Sequence, residues 1–210
     1  LIHSLAVTER RGLFTSWTLL LAISAFSLSL LGTFLVRSGI IVSVHAFATD
    51  PTRGLFILAF LAIVVVGALT LYAWRAPALD SSAGFSALSR ETFLLLNNVL
   101  LIVAATLVLL GTLAPLIVEM LNGGKISIGP PWFEVAFLVP MIPLLVLLGL
   151  GMHTAWRQQN KDSMFAVLRL PAIAALIIGV VLPLFFYGRV SLLLFVGCAA
   201  AAWIVISSLI

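Results

Sequence analysis

The sequence predicts an all-α protein, a polytopic bundle of transmembrane helices, and three observations lead to this fold class. The 210 residues are 63% hydrophobic and only 9% charged, whereas soluble globular domains carry about 25% charged residues. The mean hydropathy is +1.28. Apolar runs recur at the length of about 20 residues that a helix needs to cross the bilayer. We expect about six spans and the tail of one more, in a single transmembrane domain over residues 1–210.

The predicted spans are apolar runs separated by short polar connections. The first seven residues form the tail of a span, which the charged residues 9–11 end. The complete spans cover residues 14–36, 54–74, 92–118, 132–156, 170–187 and 190–210. Pro140 and Pro143 are expected to break the fourth of these, because proline removes a helix hydrogen bond. The chain starts without methionine and stops inside an apolar run, which predicts a piece of a longer protein.

The loop 37–53, reading RSGIIVSVHAFATDPTR, separates the first two complete spans and carries His45. A neutral imidazole has a nitrogen lone pair that can bind iron or another metal. The loop is unusually apolar around this histidine, which indicates a position in the membrane interface or against another domain. Arg37 and Arg53 flank the loop and are candidates for pairing with carboxylates such as haem propionates. The plainer alternatives are a loop histidine without a ligand and arginines that reach from span ends to the membrane surface, and spacing alone favours them.

Two further histidines lie near the ends of predicted spans. His3 sits in an apolar run, where ionisable groups are costly and often functional, but its position near a helix end is equally compatible with ordinary exposure. His153 is a weaker candidate, since Trp156 and Arg157 mark the membrane interface directly after it. A pair formed by His3 and His153 is geometrically conceivable. A pair formed by His3 and His45 is not, because a span of about 30 Å separates their levels.

The basic residues predict the orientation of the chain. Seven Lys and Arg residues fall on one side of the membrane and four on the other. The first group is Arg10, Arg11, Arg75, Arg90, Arg157, Lys161 and Arg169, and the second is Arg37, Arg53, Lys125 and Arg189. Because loops rich in Lys and Arg stay in the cytoplasm, the His45 loop is expected outside, in the periplasm. The charges are scattered between spans, so the net charge of +4 does not indicate a nucleic-acid partner.

The single cysteine, Cys198, lies inside an apolar run. It forms no CxxC or CxxCH motif, and the chain therefore carries no covalently attached haem of the cytochrome c type.

Several segments together resemble the CcmF/NrfE family, the haem lyase subunits of bacterial cytochrome c maturation. They are LIHSLAVTERRG, LLGTFLVRSGIIVSVHAFATDPTRG, LLLNNVLL with GTLAPL, and ISIGPPWF. The His45 loop is the most specific of them. The resemblance extends from residue 1 to about residue 150, and beyond Met152 only the hydropathy is similar.

This resemblance implies a multi-pass protein of the bacterial inner membrane that takes haem, its substrate, from the periplasmic haem chaperone CcmE. It implies that the haem is attached through thioether bonds to the CxxCH cysteines of apocytochrome c. Thiol-handling subunits such as CcmH and membrane lipid are further expected partners. It also implies a cofactor, a b-type haem bound within the membrane between two histidines and thought to reduce the incoming haem.

By position in the family pattern, His45 matches a periplasmic axial ligand of the transferred haem, and His3 matches the first transmembrane ligand of haem b. The tryptophan-rich segment and the other periplasmic histidine of the family would precede Leu1, and the second transmembrane histidine would follow Ile210. His153 does not match the pattern. No residue is assigned a catalytic role.

Two other functions remain open from the residues alone. A transporter or exporter of haem or another small solute would suit a broken fourth span and the polar pair Asn97 and Asn98, although no inverted repeat supports it. A purely structural subunit of an assembly complex would place His45 at a protein contact.

Overall fold

A computed structural model describes residues 1–38, 51–79 and 84–210, and most of this part of the chain is α-helical. The helices are α1 Ile2–Arg11, α2 Thr15–Ser38, α3 Pro51–Arg75, α4 Arg90–Asn122, α5 Pro130–Met152, α6 Lys161–Tyr187 and α7 Leu192–Ser208. A short 3₁₀ turn, Ala76–Ala78, follows α3. The described ranges contain no β-strand. The all-α prediction is confirmed.

Five of these helices, α2 to α6, are long and apolar enough to cross a membrane. The last helix, α7, is equally apolar but has 17 residues, where the sequence predicts a full span over residues 190–210. The polytopic helical bundle is therefore confirmed as five long apolar helices and one shorter one.

Helix α6 begins nine residues before its predicted span. The sequence predicts that Lys161 and Arg169 belong to a connection, yet both are helical. The side chain of Asn160 caps the helix by accepting a hydrogen bond of 2.9 Å from the backbone N–H of Asp162, which is how polar residues start a helix.

Helix α5 is continuous through Pro140 and Pro143, so the prediction that these prolines break the fourth span is wrong. Each proline removes one backbone hydrogen bond, and the remaining bonds and the packing of neighbouring helices hold the helix together. Pro140 is fully buried, and its ring is part of the packed interior. The broken span therefore no longer supports the transporter alternative.

The helices form two compact units, Leu1–Ala83 and Gly84–Ile210. In the first unit, α2 and α3 pack side by side and antiparallel. At one end Gly54 lies so close to Ser38 that a Cβ would stand 3.0 Å from the Ser38 Cα. At the other end Leu19 and Tyr72 line the same groove. Helix α1 packs against the beginning of α2.

In the second unit α4 packs on α5, α5 on α7, and α7 on α6. Two of these interfaces are built from a glycine beneath an indole ring: Gly111 beneath Trp132, and Gly149 beneath Trp203. Small residues allow helices to approach closely in membranes, where burial of apolar surface provides little drive for association. That residues 1–210 form one transmembrane domain, with an external loop over 37–53, stays a prediction.

Candidate functional site

His45, the most specific candidate from the sequence, lies outside the described residues, and its role as a periplasmic haem ligand stays a prediction. The two flanking arginines are described. Arg37 lies half-buried in the last turn of α2, and Arg53 lies exposed in the first turn of α3. Both arginines therefore belong to helix ends, next to the segment that carries His45.

His3 lies on α1, and this helix is fixed to α2 by a cluster of hydroxyl groups. The Oγ of Ser4 and the Oγ1 of Thr18 are 2.7 Å apart. The Oγ1 atoms of Thr8 and Thr18 are 2.8 Å apart. Thr8 also donates to the backbone carbonyl of Leu13, at 2.8 Å. Such hydrogen bonds between helices hold them in one relative position where no water competes.

The turn between α1 and α2 is short and tightly wound. Gly12 ends α1 with a φ of 66°, and its N–H donates to the carbonyl of Thr8. Phe14, directly before α2, has a φ of 64°, which is uncommon for a residue with a side chain. This conformation reverses the chain within three residues, Gly12 to Phe14, and brings α1 back onto the first turns of α2.

His3 is exposed and lies beside the face of α1 that packs on α2. That face carries Ser4 and Val7, both fully buried, at the spacing expected for one side of a helix. His3 is exposed together with Ile2, which is 81% exposed, and Leu5. The histidine is thus exposed on a helix that also exposes apolar side chains and that is fixed to α2.

His153 has a structural role in the second unit. It lies directly after the last turn of α5, and its Nε2 is 2.7 Å from the carbonyl oxygen of Ser207 near the end of α7. A carbonyl oxygen can only accept, so Nε2 carries a hydrogen and donates it. This nitrogen therefore has no lone pair for a metal.

The polar pair Asn97 and Asn98, which the sequence offers in support of a transporter, lies on α4. Asn97 and Asn98 are both buried in the second unit. The side-chain nitrogen of Asn98 has no hydrogen-bond partner within the part of the chain that the structure describes. Residues 1–38, 51–79 and 84–210 also contain no group of three or more His, Cys, Asp or Glu side chains that could hold a metal ion.

A buried carboxylate that the sequence analysis missed organises one end of the second unit. Glu91 is fully buried in the first turn of α4. Its two oxygens accept hydrogen bonds of 2.9 and 3.2 Å from the backbone N–H of Arg157. Arg157 has a φ of 68°, a conformation that aims its N–H at the carboxylate. The only signal in the sequence is an acidic residue shortly after Ser89, which is typical of a helix start.

The side chain of the preceding residue, Arg90, ties the same two segments together. Its Nη2 donates a hydrogen bond of 2.9 Å to the carbonyl of Met152. Its guanidinium lies 5.4 Å from the centre of the Trp156 ring, a distance at which a cation and an aromatic face attract. Arg90 and Glu91 thus join the beginning of α4 to the segment after α5.

Comparison with known proteins identifies the family of the chain. It is 51% identical over 207 residues to the cytochrome c-type biogenesis protein CcmF of Pseudomonas aeruginosa, which covers 99% of this chain and 31% of that protein. It is 50% identical over 206 residues to CcmF of Escherichia coli, which covers 98% of this chain and 32% of that protein. The chain belongs to the CcmF family.

The CcmF matches also correct the extent of the resemblance. They include nearly the whole chain. The similarity therefore extends through α6 and α7 and does not end near residue 150, as predicted from the sequence. The probable cytochrome c-type biogenesis protein NrfE of Escherichia coli is 41% identical over 166 residues, 79% of this chain and 30% of that protein. The chain spans about 31% of the length of the first of these curated CcmF relatives. No family model and no solved structure matches the chain.

Proposed function

We propose that this chain is part of a haem-handling subunit of the cytochrome c haem lyase. The subunit would receive haem from the periplasmic chaperone CcmE and promote its thioether attachment to the CxxCH cysteines of apocytochrome c, together with thiol-handling subunits such as CcmH. The observation that carries the proposal is the 51% identity to a CcmF protein over 99% of the chain. The five long apolar helices support a place in the bacterial inner membrane.

In this proposal His45 holds the substrate haem by its iron, on the periplasmic side of the membrane. A fixed ligand would keep the haem vinyl groups oriented toward the attacking cysteines, and orientation of this kind removes an entropic barrier to reaction. Arg37 and Arg53 lie at the helix ends that flank the segment. Each would contact a haem propionate, since guanidinium groups bind carboxylates strongly.

His3 would bind the second haem, the b-type cofactor within the membrane. The residues around it fit such a group, since imidazole is a common axial ligand of haem iron and the neighbouring exposed side chains, Ile2 and Leu5, are apolar. A b-type haem would supply one-electron reduction. The role of this chain would be to hold the iron through His3, to exclude water with apolar side chains, and to keep α1 fixed through its bonds to Thr18.

The test is an absorption spectrum of the purified protein in detergent, oxidised and reduced with dithionite, combined with an assay of cytochrome c maturation in cells. His3→Ala should lose the b-type spectrum, because the iron loses an axial ligand. His45→Ala should keep this spectrum and abolish maturation, because only the substrate haem loses its ligand.

The control is His153→Ala, because the imidazole of His153 already donates a hydrogen bond to the carbonyl of Ser207. This variant should keep both the spectrum and maturation. A b-type spectrum that persists in His3→Ala would exclude His3 as a ligand. Normal maturation in His45→Ala would exclude the role of His45, and the haem lyase proposal would then rest on other residues of the protein.

A further inference from the structure

The first unit contains an open groove between α2 and α3, at the end where α2 begins and α3 ends. The groove has a volume of about 600 Å³ and is lined almost entirely by apolar side chains. Its walls include Leu19, Ile23, Ala68 and Leu71. A second cavity of about 350 Å³ lies farther along the same pair of helices, lined by residues such as Leu31 and Leu61. Long apolar grooves between membrane helices match the shape of a hydrocarbon chain.

The mouth of the groove is polar and positively charged. Tyr72 and Arg75 are the polar residues of its lining, and none of the lining residues is acidic. Arg75 lies exposed in the last turn of α3, with its guanidinium 5.8 Å from the centre of the Trp74 ring. Trp74 is itself 76% exposed. Tyrosine and tryptophan favour the headgroup level of a bilayer, which places Arg75 where lipid phosphates lie.

Other cations lie at the same end of the unit. Because α1 ends directly before α2 begins, Arg10 and Arg11 belong to the end where α3 stops at Arg75. Glu9 precedes them in the sequence, and Asp80 follows Leu79 in the sequence but lies outside the described residues. Among the residues that the structure describes at this end, three arginines stand against one glutamate, and this excess of positive charge favours anionic over zwitterionic lipid.

We propose that the groove binds one anionic phospholipid, with an acyl chain between α2 and α3 and the phosphate against Arg75. The apolar walls of the groove would contact the acyl chain. Arg75 and the neighbouring hydroxyl of Tyr72 would bind the headgroup, since guanidinium binds phosphate through two parallel hydrogen bonds. None of the residues that line the groove is a proposed haem ligand. It would hold the α2–α3 pair at a fixed depth in one leaflet of the membrane.

Native mass spectrometry of the purified protein tests the site, with phosphatidylglycerol or phosphatidylcholine titrated into the detergent. The wild type should retain phosphatidylglycerol with about five-fold higher affinity, the effect of roughly one favourable charge contact at a membrane surface. Arg75→Gln should remove this preference. Ala68→Phe, which fills the groove, should weaken the retention of both lipids.

The matched control is Arg169→Gln, which removes an exposed arginine that does not line the groove. It should retain the five-fold preference, and circular dichroism should show that all three variants are folded. Equal affinity of the wild type for both lipids would overturn the proposal, as would an equal loss in Arg75→Gln and Arg169→Gln. Failure of the wild type to retain lipid would do the same, since another segment of the protein would then cover the groove.

Discussion

At the scale of single residues, Glu91 shows how a buried charged group is stabilised by hydrogen bonds. A carboxylate removed from water destabilises the folded state unless hydrogen bonds replace its hydration. Here both of its oxygens accept from the backbone N–H of Arg157, and Arg157 adopts the left-handed conformation that makes this possible. Glu91 therefore fixes the chain after α5 and not only the start of its own helix.

We expect Glu91→Ala to lower the free energy of unfolding by about 1–3 kcal/mol, because it leaves a backbone N–H without its acceptor. The measurement is thermal unfolding in detergent, followed by circular dichroism. Glu134→Ala is the control, since Glu134 is exposed on α5 and surface substitutions usually change stability by less than about 0.5 kcal/mol. Equal melting temperatures for the two variants would contradict the role of Glu91.

His153 leads to a second prediction at this scale. His153→Ala removes the hydrogen bond to the Ser207 carbonyl and should lower the free energy of unfolding by about 1 kcal/mol. His153→Gln should recover part of this loss, because an amide N–H₂ can also donate to a carbonyl. The same unfolding measurement decides the matter: a Gln variant no more stable than the Ala variant would show that the hydrogen bond contributes nothing.

At the scale of helices, glycines beneath indole rings set how closely the helices of the second unit approach. A Cβ at Gly149 would overlap with the indole Nε1 of Trp203, so no larger residue fits there without moving the ring. The same indole donates to the carbonyl of Val146 at 3.2 Å. One side chain thus supplies both the packing and a hydrogen bond between α5 and α7.

Gly149→Ala should therefore destabilise the protein by about 1–3 kcal/mol, the usual cost of overpacking an interior. Gly197→Ala on α7 is the matched control, because a Cβ there meets nothing within 4 Å. Alanine favours a helix more than glycine does, so the control should unfold at the same or a higher temperature. If both variants lose stability equally, the contact with Trp203 is not the reason that Gly149 cannot be replaced by a larger residue.

At the scale of the whole molecule, the distribution of basic residues predicts the orientation in the membrane. Ser127 lies in the connection with Lys125, and Gln158 lies next to Arg157, and both are exposed. In a Cys198→Ala background, Ser127→Cys should react with a membrane-impermeant maleimide added to spheroplasts. Gln158→Cys should react only after the membrane is permeabilised, because positive loops stay in the cytoplasm. The reverse labelling pattern would overturn the predicted orientation.

The sequence predicted the helical class and the number of apolar runs, because hydropathy over about 20 residues reports directly on the surrounding hydrocarbon. It failed at helix ends. Charged residues at the start of α6 were assigned to a connection, although a helix can extend beyond the apolar core into the interface. It also overestimated the effect of Pro140 and Pro143, since a local loss of hydrogen bonds does not break a helix that its neighbours support.

The candidate site also combines features that the sequence predicts with features that only the tertiary structure shows. His3 and His45 were selected by their place in motifs of the CcmF family, and the sequence by itself determined that family, the membrane class and these two candidates. Tertiary structure alone decided that His153 is committed to Ser207, that Glu91 is buried against Arg157, and that an apolar groove ends at Arg75. The physical reason is that these features depend on contacts between segments far apart in the chain, whereas hydropathy and motifs are properties of continuous stretches.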